Sequence, residues 1–270
     1  MKIALFVTGS VRTLFLQCTL HRVLHYVALP LKAELFYSIN VPSVAHISTV
    51  SEYLDTTSNG TIAVIYKEVY VDKGSYTETQ RCSALVARVI GRPQAEGMVR
   101  CMRKLESFGR NYDYIIRTRT DLYVPFGISS LPPPSANVAF VGFVGKKCNG
   151  KTAWWIDDRF AILPTTTTQQ AYFYGYAHDL CRQDCFDHTC HAPECKLGSA
   201  LNKRNVHVVD LRETSSTASL QIIRQNCSLE TVDKHWIRPS WMPPFWLQAH
   251  NLSQLLNKKN RALGRNEPDK

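Results

Sequence analysis

The sequence predicts an α/β fold, a largely parallel sheet covered by helices on both faces. Three observations predict it. Apolar runs rich in β-branched and aromatic residues recur through the first half of the chain. Stretches of helical periodicity alternate with them, and the junctions carry Gly, Ser and Pro. The chain has 270 residues, 44% hydrophobic and 20% charged, an ordinary globular balance. At this length folding buries roughly 70–75% of the unfolded surface, so a core forms without staples.

Residues 2–8 form the first strand, an apolar run ending at Thr8-Gly9-Ser10. Its shortness, and the charged helical pattern after it, argue against a signal peptide. Residues 11–27 follow with helical spacing (Val11, Leu14, Phe15, Cys18, Val23, Tyr26, Val27), and Pro30 is expected to stop that helix. A second strand is predicted over 33–39, a short helix over 44–54 and a β-branched third strand over 61–71. Helical spacing returns over 77–108, broken at Gly91-Arg92-Pro93, and the fourth strand covers 112–118. After Pro132-Pro133-Pro134 come strands at 138–144 and 157–163, a helix at 167–180, a cysteine-rich loop, and a helix at 194–205. Strands at 206–210 and 219–224 follow, then an aromatic, proline-rich tail and a basic helix near 252–263.

The excess of 32 Lys and Arg over 22 Asp and Glu gives a formal net charge of +10, which favours an anionic partner. Basic residues do not alternate with aromatics in a stripe, so no nucleic-acid partner is expected. No run approaches the roughly 18 apolar residues of a membrane span. Membrane attachment is therefore expected only through an anchor outside this chain. With such an anchor the location is the secretory-pathway lumen, as in the Golgi; without one it is the cytoplasm. Asn59-Gly60-Thr61, Asn226-Cys227-Ser228 and Asn251-Leu252-Ser253 fit glycosylation acceptor triplets. Cys181, Cys185, Cys190 and Cys195 cluster with His178, His188 and His191. Their spacing suits a disulfide-stapled loop better than a zinc site, and unpaired thiols remain a third reading.

In a parallel sheet the carboxyl ends of the strands line the ligand crevice. Gly9, Ser10 and Arg12 follow strand one, while Arg119 and Asp121 follow strand four, so both groups are expected on one side. Backbone N–H groups at a helix start suit phosphate, and Arg12 is placed to clamp it. One glycine without a P-loop lysine is not a nucleotide-binding signature, and a plain turn explains it equally. Arg117 and Arg119 share a strand face. Near a core they need anions or acidic partners, Asp113 and Glu106 being internal alternatives. Asp121 suits a divalent cation or, more plainly, a turn cap. Asp157 and Asp158, read as a strand start after Trp154-Trp155, are candidates for a general base or an acceptor-hydroxyl ligand. Adjacent strand residues face opposite ways, so only one is expected to enter a given cleft. Neither a Gly-x-Ser-x-Gly elbow nor a His-Glu-x-x-His pair occurs.

Ile3-Ala4-Leu5-Phe6-Val7-Thr8-Gly9-Ser10-Val11-Arg12, Leu35-Phe36-Tyr37-Ser38-Ile39-Asn40 and Tyr112-Asp113-Tyr114-Ile115-Ile116-Arg117-Thr118-Arg119-Thr120-Asp121-Leu122 together resemble a group of glycosyltransferase-like proteins of plants, algae, microbes and large viruses. Asp157-Asp158-Arg159-Phe160 and Pro193-Glu194-Cys195-Lys196-Leu197 are similar to two further segments of that group. The resemblance spans about residues 2–210. It implies a GT-A-like fold, a Rossmann-like mixed sheet flanked by helices. Residues 1–125 would form the nucleotide-sugar half, 126–225 the acceptor half with the cysteine-rich loop, and 226–270 the tail. It implies a glycosyltransferase using a nucleoside-diphosphate sugar donor and a glycan or other hydroxyl acceptor. Gly9, Ser10, Arg12, Arg117, Arg119 and Asp121 would then bind the donor, with Asp157 and Asp158 at the acceptor. Such enzymes carry Asp-x-Asp where this chain has Arg119-Thr120-Asp121, so Asp121 alone would hold a divalent cation (Mn or Mg), or Arg119 would supply the positive charge. The alternatives are an inactive relative that binds glycans or nucleotides, and an anion- or nucleic-acid-binding protein.

Overall fold

The computed structural model describes residues 1–11, 14, 19–58, 60–71, 92–124, 128, 131–134, 137–147, 154–175, 193–211 and 221–222. Its strands are β1 (Ile3–Ser10), β2 (Glu34–Val41), β3 (Val64–Val71), β4 (Tyr114–Arg119), β5 (Leu122–Tyr123), β6 (Val138–Val141), β7 (Val144–Lys147), β8 (Trp154–Ile156), β9 (Phe160–Leu163), β10 (His207–Asp210) and β11 (Gln221–Ile222). Seven of them form one sheet in the order β3-β2-β1-β4-β9-β6-β10. The first four run parallel, as the alternation predicts. β9 is antiparallel to both β4 and β6, so the sheet is mixed. It runs without a break from β1–β4 to strands beyond residue 126. β7 pairs with β8 and β5 with β11 as separate two-stranded ribbons.

Strand alternation sends successive side chains to opposite faces, and each face has its own core. Leu5, Val7, Leu35 and Tyr37 pack with Leu20, Val23 and Val27 of a first helix, α1 (residues 20–31), and with Val50 and Leu54 of α2 (Ile47–Ser58). Ala4, Phe6, Phe36 and Ile115 face Met98, Met102 and Leu105 of α3 (Arg92–Ser107). The same core takes in Tyr172 and Phe173 of α4 (residues 166–175), and Leu197 and Leu201 of α5 (Pro193–Lys203). Each fully buried Leu, Ile or Phe contributes roughly 1.5–3 kcal/mol.

Pro30 does not stop α1 where expected; the helix runs through it to Leu31. The preceding turn, Leu24–Ala28, is widened to π-helical bonding. A helical proline abandons the carbonyl four residues back, here that of Tyr26. The N–H of Ile128 fills the gap, donating to Tyr26 O at 2.7 Å. Lys32 ends the helix in the left-handed region (φ 52°), with Ala33 N–H donating to Ala28 O and Lys32 N–H to Leu29 O. The predicted helix over 77–108 is described only from Arg92 onward. The tail and residues 176–192 lie outside the described residues.

Candidate functional site

In the parallel half of the sheet the strand order reverses between β1 and β4, the point beyond whose carboxyl ends open α/β sheets take their ligands. Gly9 and Ser10 end β1, and Arg119 ends β4, with Thr8 and Arg119 in register. The two ends are tied: the Thr120 hydroxyl donates to Ser10 O at 2.6 Å. Gly9 makes the approach possible. Its φ is +140°, and a Cβ there would stand 2.9 Å from Thr120 Oγ1. Gly9 thus has a structural reason of its own, independent of any phosphate. Arg12 lies outside the described residues.

Arg117 and Arg119 share the face that α3, α4 and α5 cover, two residues apart as the alternation requires. Arg117 is wholly buried, flanked across the sheet by Phe6 and Ala161. All three of its guanidinium nitrogens lack a hydrogen-bond partner among the described residues. The internal partners suggested by sequence are engaged elsewhere. Asp113 accepts from the Lys2 N–H, and Glu106 accepts from the Tyr174 hydroxyl. Arg119, 23% exposed, grips Asp121 with two parallel bonds: Nε–H to Oδ1 at 2.8 Å and Nη2–H to Oδ2 at 2.7 Å. Its Nη1 stands 3.6 Å from Asp158 Oδ1. Burial works against the Arg119 charge, yet Asp121, Asp158 and Asp157 hold its pKa above the ordinary arginine value. N–H groups on Nη1 and Nη2 remain beyond the two bonds to Asp121.

Asp157 and Asp158 are not a strand start. They form, with Arg159, the turn from β8 into β9, and both side chains point inward, 0% and 4% exposed. A turn is free of the strict alternation that led the sequence reading to admit only one of them. Because β9 is reversed, the turn before it arrives at the rim where β4 ends. Asp157 accepts from the backbone N–H of Arg159 at 3.0 Å and from Arg159 Nε–H, while its own N–H donates to Phe143 O. Burial raises the Asp157 pKa, with Arg159 pulling the other way. Arg119 therefore joins two sequence motifs into one cluster, holding Asp121 on the turn just past its own strand and Asp158 on the β8–β9 turn.

Two further residues enter the cluster without having been singled out from sequence as site residues. Tyr172 is wholly buried in α4, and Arg117, Asp158, Asp157 and Arg119 all act on its hydroxyl; burial raises its pKa. Glu194, the second residue of α5, is half-buried and lies within the field of Asp158, Asp157 and Arg119. Burial raises its carboxyl pKa above the ordinary value. Its sequence signals are its place behind Pro193 at a helix start and its membership of the Pro193–Leu197 segment that carries part of the resemblance. α5 is held firmly: a Cβ on Gly198 would fall 1.9 Å from the Trp154 carbonyl oxygen, so only glycine lets the helix lie on β8.

The described residues do not fit the divalent cation that Asp121 was expected to hold. Both Asp121 oxygens are taken by Arg119, and no group of three His, Cys, Asp or Glu side chains converges among the described residues. Cys195 is buried in α5, and the rest of the cysteine cluster lies outside the described residues. No helix among those residues is long and apolar enough to cross a membrane.

No known family profile matches the chain, and neither does any curated protein. Among solved structures, the chain is similar to a nucleoside-diphosphate-sugar pyrophosphorylase from Vibrio cholerae. The identity is 13%, with 78% of this chain and 93% of that one covered, at a TM-score of 0.44.

Proposed function

We propose that this protein is a GT-A-type glycosyltransferase that moves a sugar from a nucleoside-diphosphate sugar to a hydroxyl acceptor. The observation that carries the reading is the convergence at one rim of the sheet. The β1 end (Gly9-Ser10), the β4 end (Arg119-Thr120-Asp121) and the β8–β9 turn (Asp157-Asp158) meet at the point where strand order reverses, and Arg119 links the last two. In an open α/β sheet that point is where a nucleotide binds. Arg119 has guanidinium N–H groups beyond those given to Asp121, and a guanidinium in partly buried surroundings is well suited to a diphosphate. The net charge of +10 favours the same anionic ligand. Asp121 sets the orientation of Arg119, and Asp158 supports it from the turn.

A thermal-shift screen tests this. UDP-glucose, UDP-N-acetylglucosamine and GDP-mannose are each added with and without manganese. A donor at 100 times its Kd adds about 2.7 kcal/mol to stability, and Asp121→Ala, which frees Arg119 from its orientation, removes the shift. No shift with any nucleotide sugar under either condition would sink the proposal.

A further inference from the structure

A group that takes the proton of an incoming hydroxyl must come within hydrogen-bond distance of it. Asp157 and Asp158 are poorly placed for that. Both are covered, 0% and 4% exposed, with Asp157 bonded to Arg159 and Asp158 beside Arg119. Asp121 gives both oxygens to Arg119. Glu194 differs from all three. It shares their surroundings, yet its side chain is part-exposed and, among the described residues, no arginine bonds to it. Its position is fixed by the fold, because Gly198, one helical turn further on, seats α5 against the carbonyl of Trp154 just ahead of the Asp157-Asp158 turn.

We infer that Glu194 is the acceptor-side base of the site, a role that rests on the donor reading above. Its carboxylate accepts the proton of the acceptor hydroxyl as that oxygen bonds to the anomeric carbon. The bond from the same carbon to the diphosphate oxygen breaks, and its electron pair leaves with the nucleoside diphosphate. The surroundings strengthen the base. Burial, and the negative charges of Asp158 and Asp157 on the β8–β9 turn, raise its proton affinity; Arg119 on β4 and the backbone N–H of Glu194 oppose them. Asp157 and Asp158 then act through Glu194 and Arg119 as positioning residues.

The experiment compares wild type, Glu194→Gln and Glu194→Asp with UDP-glucose, UDP-N-acetylglucosamine and GDP-mannose. It reads the melting shift and, separately, release of nucleoside diphosphate with water as acceptor. Glu194→Gln is expected to keep the donor shift and to lose release by about 100-fold or more, the usual worth of a general base, while Glu194→Asp retains part. Wild-type release is expected to fall as pH drops, with a midpoint above the ordinary carboxylate range, and Glu194→Gln to lose that dependence. A donor shift with release in Glu194→Gln within about tenfold of wild type overturns the inference and leaves the donor reading standing. A wild type that binds a donor without releasing product also overturns it. No shift and no release in wild type overturns both. Should Glu194→Gln not fold, Glu194→Asp decides: slower release with an unchanged donor shift supports the base, and equal release overturns it.

Discussion

Replacing Arg119 by Met keeps most of the side-chain volume and removes the charge that joins Asp121 to Asp158. Two charge-assisted bonds of 2.8 and 2.7 Å to Asp121 are lost, with the 3.6 Å pairing to Asp158. The heavier loss is at Asp158. At 4% exposure its carboxylate is left without the cation beside it. Breaking a buried pair from one side costs about 3–5 kcal/mol; with Arg119 itself 23% exposed, the lower end applies, about 3 kcal/mol. For a domain of this size that lowers Tm by roughly 6–12 °C. Urea denaturation of Arg119→Met, Asp158→Asn and the double variant measures it. Asp158→Asn in the Arg119→Met background should restore at least half the loss, because the buried carboxylate that Arg119 faced is gone. A double variant no more stable than Arg119→Met would refute the argument that Asp158 is the buried charge Arg119 neutralises.

Two other predictions follow from packing and protonation. Gly198→Ala places a methyl 1.9 Å from the Trp154 carbonyl, forcing α5 off β8; a loss of about 3 kcal/mol is expected, and an unchanged urea midpoint would count against that close approach. His21 is buried in α1, and burial, with the positive charges of His25 and Arg22, lowers its pKa to about 4. The unfolded chain therefore binds this proton more tightly, so stability falls as pH drops from about 6.5 towards 4, by about 2–3 kcal/mol in all. Measured against pH, the urea midpoint of His21→Leu should lack that component, and a slope identical to wild type would contradict it.

Most of the parallel half was legible because its signals are local. β1, β2 and β4 are strands of six to eight residues built round short apolar stretches (Ile3–Val7, Leu35–Tyr37 and Tyr114–Ile116), buried on both faces. The carboxyl-end placement of Gly9, Ser10, Arg119 and Asp121 followed from that alone. Strand direction is not local. Phe160-Ala161-Ile162-Leu163 reads the same whichever way it runs, and only its pairing with β4 and β6 makes it antiparallel. That reversal moves Asp157 and Asp158 from a strand start to a rim turn, where both point inward. The course of α1 through Pro30 depended on Ile128, more than ninety residues away, which no helical pattern contains. Glu194 stood in view as a helix-start residue, but its neighbours come from β4 and the β8–β9 turn, and only folding assembles them.

The reversed strand also orders the way this sheet is completed. β9 lies between β4 and β6, yet it is made after both, so residues 114–119 and 138–141 cannot close the sheet until residue 163 has been synthesised. Until then β4 presents an open edge with Arg117 on it, a charge that disfavours joining the matching edge of another molecule. The strand that fills this gap then brings its own counter-charges, Asp157 and Asp158, on the turn that leads it in. Inserting it covers the edge and builds the acidic side of the rim in one step, so a chain cut short before residue 157 lacks both.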